Sequence, residues 1–328
     1  MTSEPALAAE QLTTLASALE SLPALNSPAA PSPDDRGDLG NAVFVGSGDS
    51  LAAALLAQRY GHRALSAGDI AWTGEIPPRC DTVVGVSQSG NTGATVLALR
   101  IARSAGLRTV ALTTNGESAL VKTADQVRLV PLPQVTEKIP AAGYVSLSAG
   151  VLGLCGRDLT GFGREVGGLL AAFAREHART PLLWPETAPS SATVLTLPDL
   201  RSAGDFWMLK LIEAAGVATR AVALEESGHV DFFVGPQPHC TIDLIGRAGL
   251  DRHDRLAAAL RANGHDIITV DAMRLFGDVA ASASADGVDV ALGAAGAAAC
   301  HEAAIHWHRP PFRGGAVPMD AQHIKLGE

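Results

Sequence analysis

Thr82-Val83-Val84-Gly85-Val86-Ser87-Gln88-Ser89-Gly90-Asn91-Thr92 decides how this chain is read. An apolar run ends in a loop of hydroxyls and amides around one glycine, and a helical stretch, Val96 to Ala105, follows. A buried strand that ends in small polar residues and feeds a helix is the repeating unit of a parallel sheet. The pattern recurs on both sides. Ala42 to Val45 ends in Gly46-Ser47-Gly48-Asp49-Ser50 and feeds Leu51 to Tyr60. Arg108 to Leu112 ends in Thr113-Thr114-Asn115-Gly116, and Val127 to Leu132 is a fourth run. Ala141 to Leu154 and Gly163 to His177 read as helices that close the layer.

Upstream, Leu12, Leu15, Leu19 and Leu22 carry helical spacing, and Asn26 to Gly40, rich in Pro, Ser, Asp and Gly, reads as a linker. Pro181 to Ser191 holds three prolines and reads as a connection. The alternation then restarts. Strands are expected over 192–197, 218–224, 241–245, 267–270 and 288–292, and helices over 205–215, 251–263 and 293–308. The expected layout is an N-terminal helix and linker over 1–40, an α/β domain over 41–180 and a second over 181–328. Each domain is expected to be a mostly parallel sheet flanked by helices.

The composition agrees with a folded chain: 328 residues, 47% hydrophobic and 18% charged. A net charge of -9 argues against nucleic acid as the partner, and 4% aromatics argue against a base-stacking platform. No apolar run reaches the roughly 18 residues of a membrane span. Met1 to Pro31 lacks the basic start and apolar core of a signal peptide. Cys80, Cys155, Cys240 and Cys300 form no CxxC pair, which predicts free thiols in a reducing cytoplasm and disfavours zinc.

Ligands of open α/β sheets bind at the carboxyl ends of strands, where the Ser87–Thr92 loop is expected. Amides at a helix N-terminus attract anions, hydroxyls add donors, and Gly90 lets the backbone approach closely. The loop has no lysine or arginine, so it would hold a phosphate by neutral hydrogen bonds. An ordinary N-cap cluster is the alternative reading. Glu213 follows Met208-Leu209-Lys210-Leu211-Ile212 in an apolar helix, where a partly desolvated carboxylate suits a general base. An ion pair with Lys210 at i−3 is the alternative. His229, in Glu225-Glu226-Ser227-Gly228-His229, is read as lying in a loop after a strand: a proton carrier, or a solvated histidine. His301-Glu302 with His306 lacks the i, i+4 spacing of two metal ligands. No GxSxG signature is present, and Trp184, Trp207 and Trp307 are expected to pack.

Ser87-Gln88-Ser89-Gly90-Asn91-Thr92 resembles the SxSGxT phosphosugar loop of the SIS (sugar isomerase) domain. Gly46 to Ser50 is similar to that family's first phosphate loop, and Asn115 to Leu120 to its asparagine-to-SxL segment. The three motifs stand in the family's order and cover most of residues 41–155. The resemblance implies two SIS-type domains of flavodoxin-like, three-layer form. It implies phosphate contacts from Ser47, Ser87, Gln88, Ser89 and Thr92. In two-SIS-domain isomerases, such as the isomerase half of glucosamine-6-phosphate synthase and the bifunctional phosphoglucose/phosphomannose isomerases, a base glutamate precedes a ring-opening histidine at the separation of Glu213 and His229. A lysine three residues before the glutamate matches Lys210, and one near the C-terminus matches Lys325. Lysine occurs elsewhere only at 122 and 138.

The chemistry implied is aldose–ketose isomerisation of a hexose 6-phosphate through an enediolate, without metal or organic cofactor, in a homodimer with shared active sites. Glu137 to Tyr144 lacks the arginine of the phosphoglucose/phosphomannose group. The sequence shows no glutaminase domain, so glutamine-dependent amination is not expected. Two other readings of the same motifs are an amino-sugar-phosphate or fructosamine-phosphate C–N lyase and a non-catalytic phosphosugar sensor.

Overall fold

The computed structural model describes residues 4–26, 39–234 and 238–311. Helix α1 (Glu4–Ser21) buries Ala8, Leu12, Leu15, Ala16 and Leu19, the stripe that its leucine spacing predicts. There follow β1 (Ala42–Gly46), α2 (Asp49–Ala54), β2 (Arg63–Ser66), α3 (Ala67–Thr73), β3 (Thr82–Val86), α4 (Gly93–Ser104), β4 (Arg108–Thr113), α5 (Ala119–Thr123), β5 (Gln126–Leu129), α6 (Ala142–Leu154) and α7 (Phe162–Arg179). The five strands are parallel, in the order β2-β1-β3-β4-β5. This is the flavodoxin-like doubly wound order.

β1 and β3 are buried throughout, as continuous apolar runs require. Alternate residues divide between two helical layers. Val43, Val45, Val83 and Ala111 pack with Ile70, Val96, Leu99 and Leu120 of α3, α4 and α5. Leu112 turns the other way, onto α6, where a methyl at Gly150 would fall 2.4 Å from its Cδ1. Helices therefore cover both faces. β2 was not expected from the sequence. It is a four-residue edge strand in which only Ala64 is buried, too short to register as an apolar run. The helix expected over 51–60 breaks into α2 and a 3-10 stretch, Leu55–Tyr60.

After an irregular segment come β6 (Ser191–Thr196), α8 (Arg201–Ala215), β7 (Ala218–Ala223), α9 (Leu224–Val234), β8 (His239–Ile245), α10 (Leu250–Ala262), β9 (Asp266–Asp271), α11 (Ala272–Phe276), α12 (Asp278–Ser282) and α13 (Ala285–His306). This second sheet is also parallel, in the order β7-β6-β8-β9. α8 lies against α13. Trp207, fully buried, donates Nε1–H to the Leu292 carbonyl at 2.8 Å, and a methyl at Gly296 would fall 2.5 Å from that nitrogen. Asp289 Oδ1 accepts the Ala203 N–H at 2.8 Å, filling an amide of α8's first turn that Leu200 at the N-cap cannot reach. Trp184 and Trp307 pack edge to face, 5.5 Å between centroids, so all three tryptophans serve packing.

Val288 to Leu292 is helical, not the strand expected. Val-Asp-Val-Ala-Leu alternates like a strand, but it lies in a Gly- and Ala-rich tract that packs as one helix along α8, and tertiary packing overrides local preference. α13 is long and apolar enough to cross a membrane by length and composition. However, 89% of its apolar window is buried inside the protein, as for a core helix. The chain forms two compact units. Among the described residues, one takes those within Glu20–Gln134 and Ala142–Gly163 and holds the first sheet; the other takes those up to Leu19, Val135–Ala141 and those within 164–311 and holds the second.

Candidate functional site

In the first sheet the chain leaves β1 for β2 on one side and resumes at β3 on the other. The connections diverge above the carboxyl ends of β1 and β3, and such a switch point is where open α/β sheets receive ligands. The two loops singled out in the sequence, Gly46–Ser50 and Ser87–Thr92, border this crevice. Ser47 is half-buried, and its hydroxyl makes no hydrogen bond among the described residues.

The second loop is held by its own polar groups. Ser87 Oγ, buried, lies 3.1 Å from Thr92 Oγ1 and accepts the Gly90 N–H at 3.1 Å. Thr113 and Thr114 both donate their hydroxyls to the Gln88 carbonyl at 3.0 Å. Asn115 Nδ2 donates to the Ser89 carbonyl at 3.1 Å, and Asn91 Oδ1 accepts the Ala119 N–H at 3.1 Å. Gly90 has φ +66°, and a Cβ there would lie 2.1 Å from Ser118 Oγ, so the position needs glycine on both counts. The side chains of Gln88 and Ser89 are left exposed.

Thr92 stands at the N-cap of α4, yet its side chain does not cap the helix. Ser66, Ser118, Asp271 and Ser284 do cap α3, α5, α11 and α13. At α4 the hydroxyl that would satisfy the first-turn amides is bonded to Ser87 instead, and the partial positive charge of the helix end stays uncapped. An ordinary N-cap cluster would have the opposite arrangement. No lysine or arginine lies in the loop.

In the second unit, Lys210 and Glu213 form the i, i+3 ion pair, Nζ to Oε2 2.8 Å. Lys210 is 1% exposed, with its ammonium 4.7 Å from the centre of the Phe206 ring, while the Glu213 side chain is 32% exposed. His229 lies within α9, not in a loop: Ser227-Gly228 interrupts the sequence pattern but not the helix. It is exposed, and nothing among the described residues joins it to Glu213. Lys325 lies outside the described residues. Glu302 pairs with His177 at 2.5 Å, both buried.

One polar cluster escaped the sequence reading. Asp231 of α9, fully buried, accepts Thr193 Oγ1–H at 2.9 Å, Arg220 Nη2–H at 2.7 Å and Ser227 Oγ–H at 2.5 Å. His239 bridges Thr193 Oγ1 at 3.1 Å and Ser191 Oγ at 2.8 Å. Burial holds the His239 imidazole below its usual range, against the pull of Asp231 and with help from Arg220 and His265. The available signal was polar residues inside apolar elements: Thr193 within a strand and Asp231 within Val-Asp-Phe-Phe-Val.

No family model matches the sequence, and no curated protein matches it. Solved structures do match. Tagatose-6-phosphate ketose/aldose isomerase from Escherichia coli superposes with a TM-score of 0.69 at 16% identity, over 94% of this chain and 95% of that one. Glucosamine-6-phosphate deaminase from Thermotoga maritima gives 0.68 at 16%, over 96% and 98%. The C-terminal domain of glucosamine-fructose-6-phosphate aminotransferase from Francisella tularensis gives 0.67 at 14%, over 95% and 97%. These likenesses show the fold. This chain shares their fold, parallel sheets flanked by helices.

Proposed function

We propose that this chain is a cofactor-independent aldose–ketose isomerase of a phosphosugar, acting on a hexose 6-phosphate, built of two SIS-type domains and working as a cytoplasmic homodimer with shared active sites. In this reading Ser47, Ser87, Gln88, Ser89 and Thr92 hold the phosphate. His229 moves a proton between the ring oxygen and its hydroxyl to open the sugar. Glu213, oriented by Lys210, carries a proton between C1 and C2 through a cis-enediolate, and Lys325 stabilises the developing oxyanion.

The observation that carries the reading is the Ser87–Thr92 hydroxyl pair beside the uncapped N-terminus of α4, at the β1/β3 switch point. A neutral, donor-rich cradle at a helix end suits a phosphate. The Lys210–Glu213 pair supports the base, since an ionised carboxylate is the form that accepts a proton. The exposure of His229 fits a residue that serves a neighbouring subunit. The neighbours' names add weight: one is an isomerase of tagatose 6-phosphate, and one is a deaminase of glucosamine 6-phosphate. The deaminase is as similar as the isomerase, which favours one second reading, a C–N lyase of an amino-sugar phosphate using the same proton transfer.

Incubation with fructose 6-phosphate in D₂O, followed by proton NMR, tests the proposal. Deuterium at C1 or C2, absent with Glu213→Gln, is expected. Ammonia released from glucosamine 6-phosphate, without exchange on the fructose ester, would replace the isomerase by the lyase. Binding without either reaction would leave a phosphosugar sensor.

A further inference from the structure

Residues at the starts of three adjacent strands of the second sheet line a cavity of about 520 Å³. Its polar wall is Ser191 of β6, Arg220 of β7 and His239 of β8, with Thr219, whose hydroxyl donates to the Val217 carbonyl; Ile212, Val217 and Val234 are among its apolar lining. The volume is that of a small-molecule site. It lies at the amino ends of these strands, not at the carboxyl ends where open α/β sheets receive ligands.

The hydrogen-bond inventory fixes what this wall offers. Asp231 is a carboxylate and can only accept, so Thr193 must spend its proton on Asp231 Oδ1. Thr193 Oγ1 is then an acceptor for Arg220 Nε–H, at 3.1 Å, and for His239 Nε2–H, at 3.1 Å. With its proton on Nε2, His239 presents the Nδ1 lone pair, which takes the Ser191 hydroxyl proton at 2.8 Å. Every proton in the network is thus assigned. Ser191 is left with acceptor capacity only.

Arg220 is held in place by Thr193 through Nε and by Asp231 through one Nη2 hydrogen. Its Nη1 hydrogens and second Nη2 hydrogen have no protein partner among the described residues, and its side chain is 40% exposed. A guanidinium edge in this state matches a planar carboxylate. Because Asp231 already shares the charge, the site suits a single negative charge better than a phosphate dianion. The remaining wall is mostly apolar and has few partners for the hydroxyls of a sugar. We propose that this cavity binds a small monocarboxylate with an apolar body, its carboxylate on the free edge of Arg220 and its body against Ile212, Val217 and Val234.

Titration of the full chain with hydrocinnamate, read by saturation-transfer NMR and calorimetry, tests this against hydrocinnamyl alcohol, its neutral counterpart. The carboxylate is expected to bind at least about tenfold more tightly than the alcohol, because a charge-assisted pair is lost in the latter. Arg220→Met should remove that preference. Ile212→Trp, which fills the cavity from α8 without touching the Asp231 network, should abolish binding of both and covers the case in which Arg220→Met fails to fold. No binding of hydrocinnamate, equal binding of the alcohol, or binding indifferent to Ile212→Trp would overturn the proposal.

Discussion

The hydroxyls of Ser87 and Thr92 lie 3.1 Å apart and are bonded to each other, not to the amides that open α4. Two groups that sequence alone would assign to capping are thereby held side by side next to an uncapped helix end. A phosphate oxygen accepting from both would reorganise little beyond two hydroxyl protons.

Thr92→Val keeps the side-chain shape and removes the hydroxyl. A lost hydrogen bond to a charged group is worth about 1.5–3 kcal/mol, so KM for the phosphosugar should rise at least about tenfold with kcat nearly unchanged. Steady-state kinetics decide it. An unaltered KM would remove Thr92 from the phosphate site.

Glu213→Gln should slow hydrogen exchange by about 10²–10⁴-fold. It should also lower stability, because the Lys210 ammonium, 1% exposed, loses its ion pair with Glu213. The loss should be about 1–3 kcal/mol by urea unfolding. Lys210→Met removes the buried charge, and Glu213, with a side chain 32% exposed, is within reach of solvent, so this change should cost less stability. The reverse order would mean that the pair is not what holds this stretch of α8.

Gly90→Ala should destabilise by about 2 kcal/mol or more, since φ +66° and a methyl 2.1 Å from Ser118 Oγ act together. Ser118 caps α5, so the damage should reach that helix. Protease sensitivity near Lys122 would show it. A change under about 0.5 kcal/mol would mean the loop is free to move.

His239 and His301 are both held below the usual imidazole range, first by burial; Lys138 lowers His301 further. The unfolded chain takes up these protons near pH 6.5, and the folded chain only at lower pH. Stability is therefore whole above about pH 6.5 and declines as the pH falls below it. Urea midpoints measured between about pH 5 and 8 should show the decline, and His301→Gln should flatten part of it. A level profile would contradict both assignments.

All four cysteines are free, but only Cys155 is partly exposed. Burial pushes the Cys240 thiol up to about 12 and raises Cys80 and Cys300 as well. Thiolates are the reactive form. Iodoacetamide should label Cys155 in the native protein and the other three only in denaturant, as read by peptide mass spectrometry. Rapid native labelling of Cys240 would mean that β8 opens.

The first sheet was legible because its strands announce themselves. Val83-Val84-Gly85-Val86 is apolar on both faces and stops at a serine, and the Gly90 requirement follows from local backbone chemistry. Arg63–Ser66 was not legible: an edge strand of four residues with one buried side chain leaves no pattern. Val288–Leu292 misled, since its alternation is decided by what it packs on, namely α8. His229 misled for a related reason: Ser227 reads as a loop former, but its hydroxyl reaches Asp231 one turn on and holds the helix. The Asp231 cluster assembles from three strands and a helix, and apart from the Ser227 contact its members come together by pairings across the sheet that no local spacing encodes.

The links from Asp289 to Ala203 and from Leu292 to Trp207 span 86 and 85 residues. A ribosome therefore makes Glu213 well before it makes the residues that fasten the helix carrying it. Until α13 has cleared the exit tunnel, α8 has an open first turn and an indole without its acceptor. The proposed base is put in order only after α13 has emerged, and a message cut short before α13 would release a chain with the first sheet's loops and an unanchored Glu213.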